Sequence, residues 1–194
     1  MEEKELNQRL YDIFKEMLLV LESIRQGFWA EKETFLREAE TKLRWILTSN
    51  LPFTEELIKK ETKNEFEKKY VTLLPHLQLT AIILRKLINE IKRKIESNLL
   101  FTDKAINEIK ELYALLQTQF EDTTDYILTR NSHLRMQIRT GIRNIYEKGN
   151  EYSTRHETRL ITGVCMPKAS YSYLAIVDCI KGVSREFSSF SEKL

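Results

Sequence analysis

Apolar side chains recur at intervals of three and four residues along almost the whole chain, and this spacing limits the possible folds more than any other feature. The first stretch shows the pattern most clearly, with apolar residues at Leu6, Leu10, Ile13, Met17, Leu21 and Ile24. Because an α-helix has 3.6 residues per turn, these side chains form one stripe that must be buried against another element. The same spacing predicts helices over about 3–26, 35–46, 65–96, 103–127, 131–160 and 169–190.

The scarcity of glycine and proline excludes folds that need many turns. The 194 residues include only 5 Gly and 3 Pro, whereas typical usage is about 7% and about 5%. A sandwich or barrel consumes these residues at its turns. The sequence therefore predicts an all-α protein of long helices with few connections.

Glycine, proline and capping residues predict where these helices end. We expect Gly27 to break or kink the first helix, and residues 49–52, with their proline, to interrupt the chain before an N-cap at Thr54. Pro75 is expected to open or kink the most apolar helix. Thr102, followed by Asp103, is typical of an N-cap for the fourth helix.

The chain repeats one plan in its two halves. Ile109, Leu112 and Leu116 follow Leu10, Ile13 and Met17 at an offset of 99 residues, and residues 181–186 follow residues 85–90 at an offset of 96. Each half would hold three helices and would gain from burying a face against the other half. The pattern predicts two tandem three-helix bundles of six long antiparallel helices, residues 1–98 and 99–194, which form one compact unit.

The C-terminal third carries a recognisable pattern. It consists of His156, Arg159 and Leu160, then Gly163, Cys165 and Pro167, then Ser170, Tyr173 and Leu174. This pattern resembles the last hairpin of PhoU-like domains, and residues 101–112 are similar to the start of that family's second repeat. The resemblance implies paired three-helix bundles and a regulatory role in inorganic phosphate uptake. It also implies a membrane phosphate transporter or a sensor kinase as partner, and a homodimer as a common state.

The metal-binding positions of that family are altered in this chain. Many PhoU-like proteins carry a Glu-Arg-Ile-Gly-Asp-His box on the third helix of each repeat. The matching positions here include Arg85 and Asn89 in the first half, and Lys181 and Arg185 in the second. Because a fixed positive charge repels a metal cation, we expect no metal cluster and no cofactor.

The same substitutions suggest a basic surface. We consider an anion-binding or partner-binding face formed by Arg85, Lys181 and Arg185, together with a ridge of Arg135, Arg139 and Arg143 at i, i+4 and i+8 of the fifth helix. The alternative is that these six are ordinary solvated residues of helix surfaces. No aromatic residues alternate with the ridge and no helix-turn-helix is recognisable, which argues against nucleic-acid binding.

Catalytic motifs are absent from the sequence. It contains no Gly-rich phosphate loop, no Ser-His-Asp order and no Cys-x-x-Cys pair. We expect Cys165 to lie in a turn, Cys179 in the core and His156 in a structural position. The chain is therefore predicted not to be an enzyme.

The charge balance and the N-terminus favour a cytoplasmic location, and the resemblance implies a position peripheral to the inner face of the cell membrane. The net charge is only +2, no apolar run approaches the ~20 residues that a membrane-spanning helix needs, and the start lacks the features of a signal peptide. Three alternatives stay open: a structural helical oligomerisation module, the cytoplasmic PhoU domain of a sodium–phosphate cotransporter, and a metal-binding bundle that uses acids such as Glu22 and Asp125.

Overall fold

The computed structural model describes residues 2–194, which form six α-helices and no strand. The helices are α1 (Glu3–Ala30), α2 (Glu33–Lys59), α3 (Glu65–Glu96), α4 (Asp103–Thr129), α5 (Ser132–Ile161) and α6 (Pro167–Lys193). The predicted all-α bundle of six helices is confirmed.

Gly27 does not break the first helix, so this prediction is wrong. It lies inside α1, which continues to Ala30 and ends at Glu31 in the left-handed conformation (φ 52°). A Cβ atom on Gly27 would lie 2.5 Å from Cδ2 of Leu36. The glycine therefore allows α1 and α2 to approach closely next to their connection.

Pro52 and Pro75 also lie within helices rather than at their ends. Pro52 is inside α2, and Thr54, predicted as an N-cap, is buried in the same helix. Ile46 and Leu57 are buried on either side of Pro52, and burial of this stripe outweighs the backbone hydrogen bond that proline removes. Pro75 does not open α3, because that helix begins ten residues earlier with a capping box at Asn64.

From α3 onward, the predicted helix ends agree with the structure to within about three residues. The hydroxyl of Thr102 accepts a hydrogen bond from the backbone N–H of Ala105 and caps α4. Asn131 caps α5, and α5 is followed by a turn in which Gly163 has a φ of 72°. The last helix begins two residues earlier than predicted because Pro167 occupies its first turn, where a missing N–H has no cost.

The same pairs of helices are in contact in both triplets. Within α1–α3 and within α4–α6, each helix contacts the other two, while α3 packs against α6 and α1 against α4 between the triplets. Aromatic rings cross this boundary, since the ring of Phe14 lies 5.4 Å from that of Phe187 and 6.2 Å from that of Phe120. One hydrophobic core thus spans both triplets, and the division at residues 98 and 99 stays a prediction.

The α3–α6 contact is the most extensive helix pair and includes a polar chain. Lys193 Nζ lies 2.9 Å from Nε2 of His76, and Nδ1 of the same ring lies 2.9 Å from Glu186 Oε2. Because ammonium can only donate, Nε2 is the acceptor and Nδ1–H donates to the carboxylate. The buried carboxylate of Glu186 thereby receives a hydrogen bond at the junction of the two triplets.

One helix in residues 2–194, α3, is long and apolar enough to cross a membrane by length and composition alone. It packs against α1, α2 and α6, and 44% of its most apolar window is buried. The prediction that no helix spans a membrane stays a prediction. The apolar surface of α3 that the bundle leaves uncovered contributes to the site described next.

Candidate functional site

The predicted basic positions on the third helices lie on different flanks of the bundle. Arg85 is exposed on α3 and close enough to Glu40 of α2 to help lower the pKa of that carboxyl, although Lys92 is the main cause. Lys181 is partly buried on the α5 side of α6, where its stem fills the space beside Gly149. Arg185 is exposed next to Glu186. The structure does not bring these three cations together.

The Arg135–Arg143 ridge follows the outer side of α5 only in part. Arg139 is exposed, and Arg143 is exposed with Nε 4.0 Å from a carboxylate oxygen of Glu147. Arg135 is partly buried in the first turn, and its Nε has no hydrogen-bond partner. A contribution of this ridge to partner binding stays a prediction.

Acidic residues do not converge on a metal site within residues 2–194. No group of three or more His, Cys, Asp or Glu side chains in that range could hold a metal ion. Glu22 forms an ion pair with Arg25, whose Nη2 lies 2.5 Å from Oε1 of Glu22. On α4, the residue beside Glu22 is Gln117. Because Gln117 is about two helical turns from Asp125, Glu22 and Asp125 do not lie side by side. Asn89, the other altered position of the family's metal box, is exposed on α3.

An apolar groove between α2 and α3 is the most distinctive surface feature of the protein. It has a volume of about 200 Å³, below the ~300–1,000 Å³ of typical small-molecule sites. Its lining is almost entirely apolar and includes Met17, Ile46, Leu47, Leu51, Leu74 and Leu77. Tyr70, whose buried hydroxyl has no hydrogen-bond partner, is also part of the lining. The groove can therefore bury apolar side chains.

Exposed apolar residues extend the groove along both helices. Leu51 and Ile58 of α2 are 51% and 54% exposed, and Ile82 of α3 is 63% exposed. Ile82 lies four residues after Gln78, which lines the groove, and so is on the same face of α3. Exposed apolar side chains that are contiguous rather than scattered mark interaction sites.

The end of the groove next to Ile82 is basic. Arg44 of α2 and Arg85 and Lys92 of α3 all surround the carboxylate of Glu40 and lower its pKa, with the hydrogen bond from Lys92 as the largest cause. Lys92 Nζ lies 2.7 Å from this carboxylate and neutralises it. Because one carboxylate cannot also balance the charges of Arg44 and Arg85, this end of the groove carries a surplus of positive charge.

The corresponding helices of the second triplet pack more closely, because α5 packs on α6 more extensively than α2 packs on α3. Gly149 explains part of the difference: it leaves room for the stem of Lys181, which would lie 2.8 Å from a Cβ there. The groove is thus not a consequence of the fold itself. The sequence signal that could have revealed it is the second apolar stripe on α2, since Leu47, Leu51 and Ile58 lie beside the buried stripe.

A buried polar cluster joins the residues of the PhoU-like pattern to α4. Arg159 donates to both carboxylate oxygens of Glu108, with distances of 2.9 and 2.6 Å, and the hydroxyl of Tyr173 donates to Oε2 at 2.6 Å. The hydrogen bond and charge of Glu108 raise the pKa of Arg159, and burial followed by the same carboxylate raises the pKa of Tyr173. Glu108 carries no signal of this role in the sequence, since its partners lie 51 and 65 residues away.

His156 completes this cluster in a structural position. Its ring stacks on Tyr173 at a centroid distance of 4.2 Å, and the residue is only 3% exposed. Burial, followed by the neighbouring Arg159 cation, lowers the pKa of His156. The cluster is held inside the protein by its own partners and fixes α4, α5 and α6 together.

Comparison with protein-family models, with curated proteins and with solved structures gives no match for this chain.

Proposed function

We propose that this chain is a non-enzymatic accessory protein that regulates a protein partner by docking through the α2–α3 groove. The observation that supports this proposal is the groove itself, with its contiguous exposed apolar side chains. The PhoU-like pattern at residues 156–174 supports a partner in inorganic phosphate transport, either a membrane transporter or its sensor kinase. The proposed location is the cytoplasmic side of the membrane.

The groove favours one kind of occupant, an amphipathic helix of the partner with acidic residues at one end. A groove between two helices accepts a third helix whose apolar side chains recur at i, i+3, i+4 and i+7. The positive charge of Arg44 and Arg85 at the end near Ile82 complements carboxylates that follow the apolar anchors. Such a helix would cover Leu51 and Ile58.

A charge in the groove tests this function. Leu51→Lys places an ammonium group on the apolar surface, and Leu128→Lys is a matched control because Leu128 is 46% exposed on α4. We expect wild type and Leu128→Lys to capture the phosphate transporter or sensor kinase in a pull-down, and Leu51→Lys to lose at least tenfold in affinity, about 1.4 kcal/mol. In cells, deletion of the gene should change phosphate uptake, and Leu51→Lys should fail to restore it.

Two results would contradict the proposal. Equal capture by wild type and Leu51→Lys excludes the groove as the docking surface, and unchanged phosphate uptake after deletion excludes the link to phosphate. A concentration-dependent mass in sedimentation that Leu51→Lys abolishes would instead assign the groove to a second copy of this chain, as in the oligomerisation alternative.

A further inference from the structure

A recess opens at the end of the bundle where the connection from α3 to α4 meets the connection from α5 to α6. It has a volume of about 220 Å³, and no charged side chain of residues 2–194 lines it. Its walls are mainly apolar and include Leu100, Val164 and Met166. Because an apolar cavity of about 150 Å³ accepts benzene, this recess has room for a molecule of about that size that carries one functional group.

A buried histidine borders this recess with an unused hydrogen-bond donor. His156 is 3% exposed and lines the recess, and its Nε2 has no hydrogen-bond partner among residues 2–194. Nη2 of Arg159 lies 3.4 Å from Nδ1 of the ring. Because guanidinium can only donate, Nδ1 is the acceptor and the neutral ring carries its proton on Nε2. Tyr173 covers one face of the ring and Arg159 the Nδ1 edge, which leaves the other face and the Nε2 edge for the recess.

The start of α6 adds backbone donors to the same recess. Its N-cap residue, Met166, makes no side-chain capping bond, and Pro167 occupies the first turn. Because the first N–H groups of a helix have no acceptor within the helix and proline has no N–H, the groups of Lys168 and Ala169 are free to bind a ligand. Ala169 lines the recess, and the first turn contains no acidic residue. The partial positive charge of a helix N-terminus favours an anion here.

We propose that this recess binds a small monocarboxylate with an apolar body. A carboxylate has two acceptor oxygens, which can take hydrogen bonds from Nε2–H of His156 and from the N–H groups at the start of α6. The apolar body would cover Leu100 and Val164, which are 77% and 61% exposed. The site lies apart from the α2–α3 groove and does not depend on the function proposed for that groove.

The test compares benzoate with toluene, in which a methyl group replaces the carboxylate, by NMR titration of the whole chain. We expect the wild-type protein to bind benzoate at least tenfold more tightly than toluene, because only benzoate accepts the free donors. His156→Phe keeps a ring against Tyr173 and removes the N–H group, so it should weaken benzoate binding about tenfold and leave toluene binding unchanged. His133→Phe is the matched control, since His133 is exposed on α5; it should bind benzoate like wild type.

A second variant separates ligand binding from damage to the fold. Met166 is 65% exposed, so Met166→Asp removes little packing, and aspartate is a favoured N-cap whose carboxylate accepts from the first turn of its helix. The thermal midpoint should therefore stay the same or rise, while benzoate binding should weaken at least tenfold because the variant occupies the same N–H groups. The proposal is overturned if benzoate binds wild type no more tightly than toluene does. It is also overturned if His156→Phe or Met166→Asp binds benzoate like wild type, or if His133→Phe weakens binding as much as they do.

Discussion

Removal of the Glu108 carboxylate is expected to destabilise the protein by about 3 kcal/mol, because it leaves the Arg159 guanidinium buried without its counter-charge. The side chains of the pair are only 10% and 12% exposed. Two short hydrogen bonds join them, and Tyr173 donates a third to the same carboxylate. Truncation of one member of such a pair typically costs about 3–5 kcal/mol, and solvent access at the rim places the expected value at the lower end.

The pair as a whole is expected to contribute little. The Coulombic gain of a buried ion pair is offset by the desolvation of both groups, so an apolar pair of similar volume is often as stable. Glu108→Leu and Arg159→Met alone should each lower the free energy of unfolding by about 3 kcal/mol, but the double variant should lie within about 1 kcal/mol of its reference. All variants carry Tyr173→Phe, so that no tyrosine hydroxyl is left without an acceptor.

Urea denaturation followed by circular dichroism at 222 nm measures this cycle. The midpoint concentration should fall in each single variant while the slope stays constant, and the thermal midpoint should fall by roughly 6–12 °C. Additive effects, or single variants that lose less than about 1 kcal/mol, would refute the reasoning that Arg159 depends on one buried counter-charge.

Three further substitutions test other parts of the structure. Burial, and after it the charge of Arg159, lowers the pKa of His156 below 6.5. The neutral ring therefore contributes stability above pH 6.5, and this stability is lost as the pH falls through the folded-state pKa. His156→Gln should flatten the stability–pH curve over that window, and an unchanged slope would show that His156 is not the source of the pH dependence. Gly27→Val should destabilise by about 1–3 kcal/mol in thermal unfolding because its Cβ meets Leu36, and an unchanged midpoint would show that this side chain moves aside freely. Thr102→Ala should lower the free energy of unfolding by about 1 kcal/mol because the N–H of Ala105 loses its cap, whereas Thr102→Ser should retain most of that stability.

Local chemistry made the helices predictable from the sequence. The stripe of apolar residues in each helix and the caps at Thr102 and Asn131 act within a few residues, so they indicate the helix and its start without knowledge of the rest of the chain. The same local rules failed at Gly27 and Pro52, where contacts with other helices decide the outcome.

The candidate site depended much more on tertiary structure. Arg85 and Lys181 match in the repeat but lie on different flanks, because each faces the middle helix of its own triplet. The groove beside Leu51 exists because α2 packs less closely on α3 than α5 packs on α6. Sequence periodicity marks which side chains are apolar, but it does not tell how far apart two helices lie.

The sequence by itself determined the class of fold and the number of helices, since helical periodicity and the shortage of turn-forming residues are properties of neighbouring positions. Only the tertiary structure decided that Glu108 meets Arg159 and that an apolar groove stays open. The physical reason is that these features arise between segments far apart along the chain, where small differences in helix packing set which charges and surfaces come together.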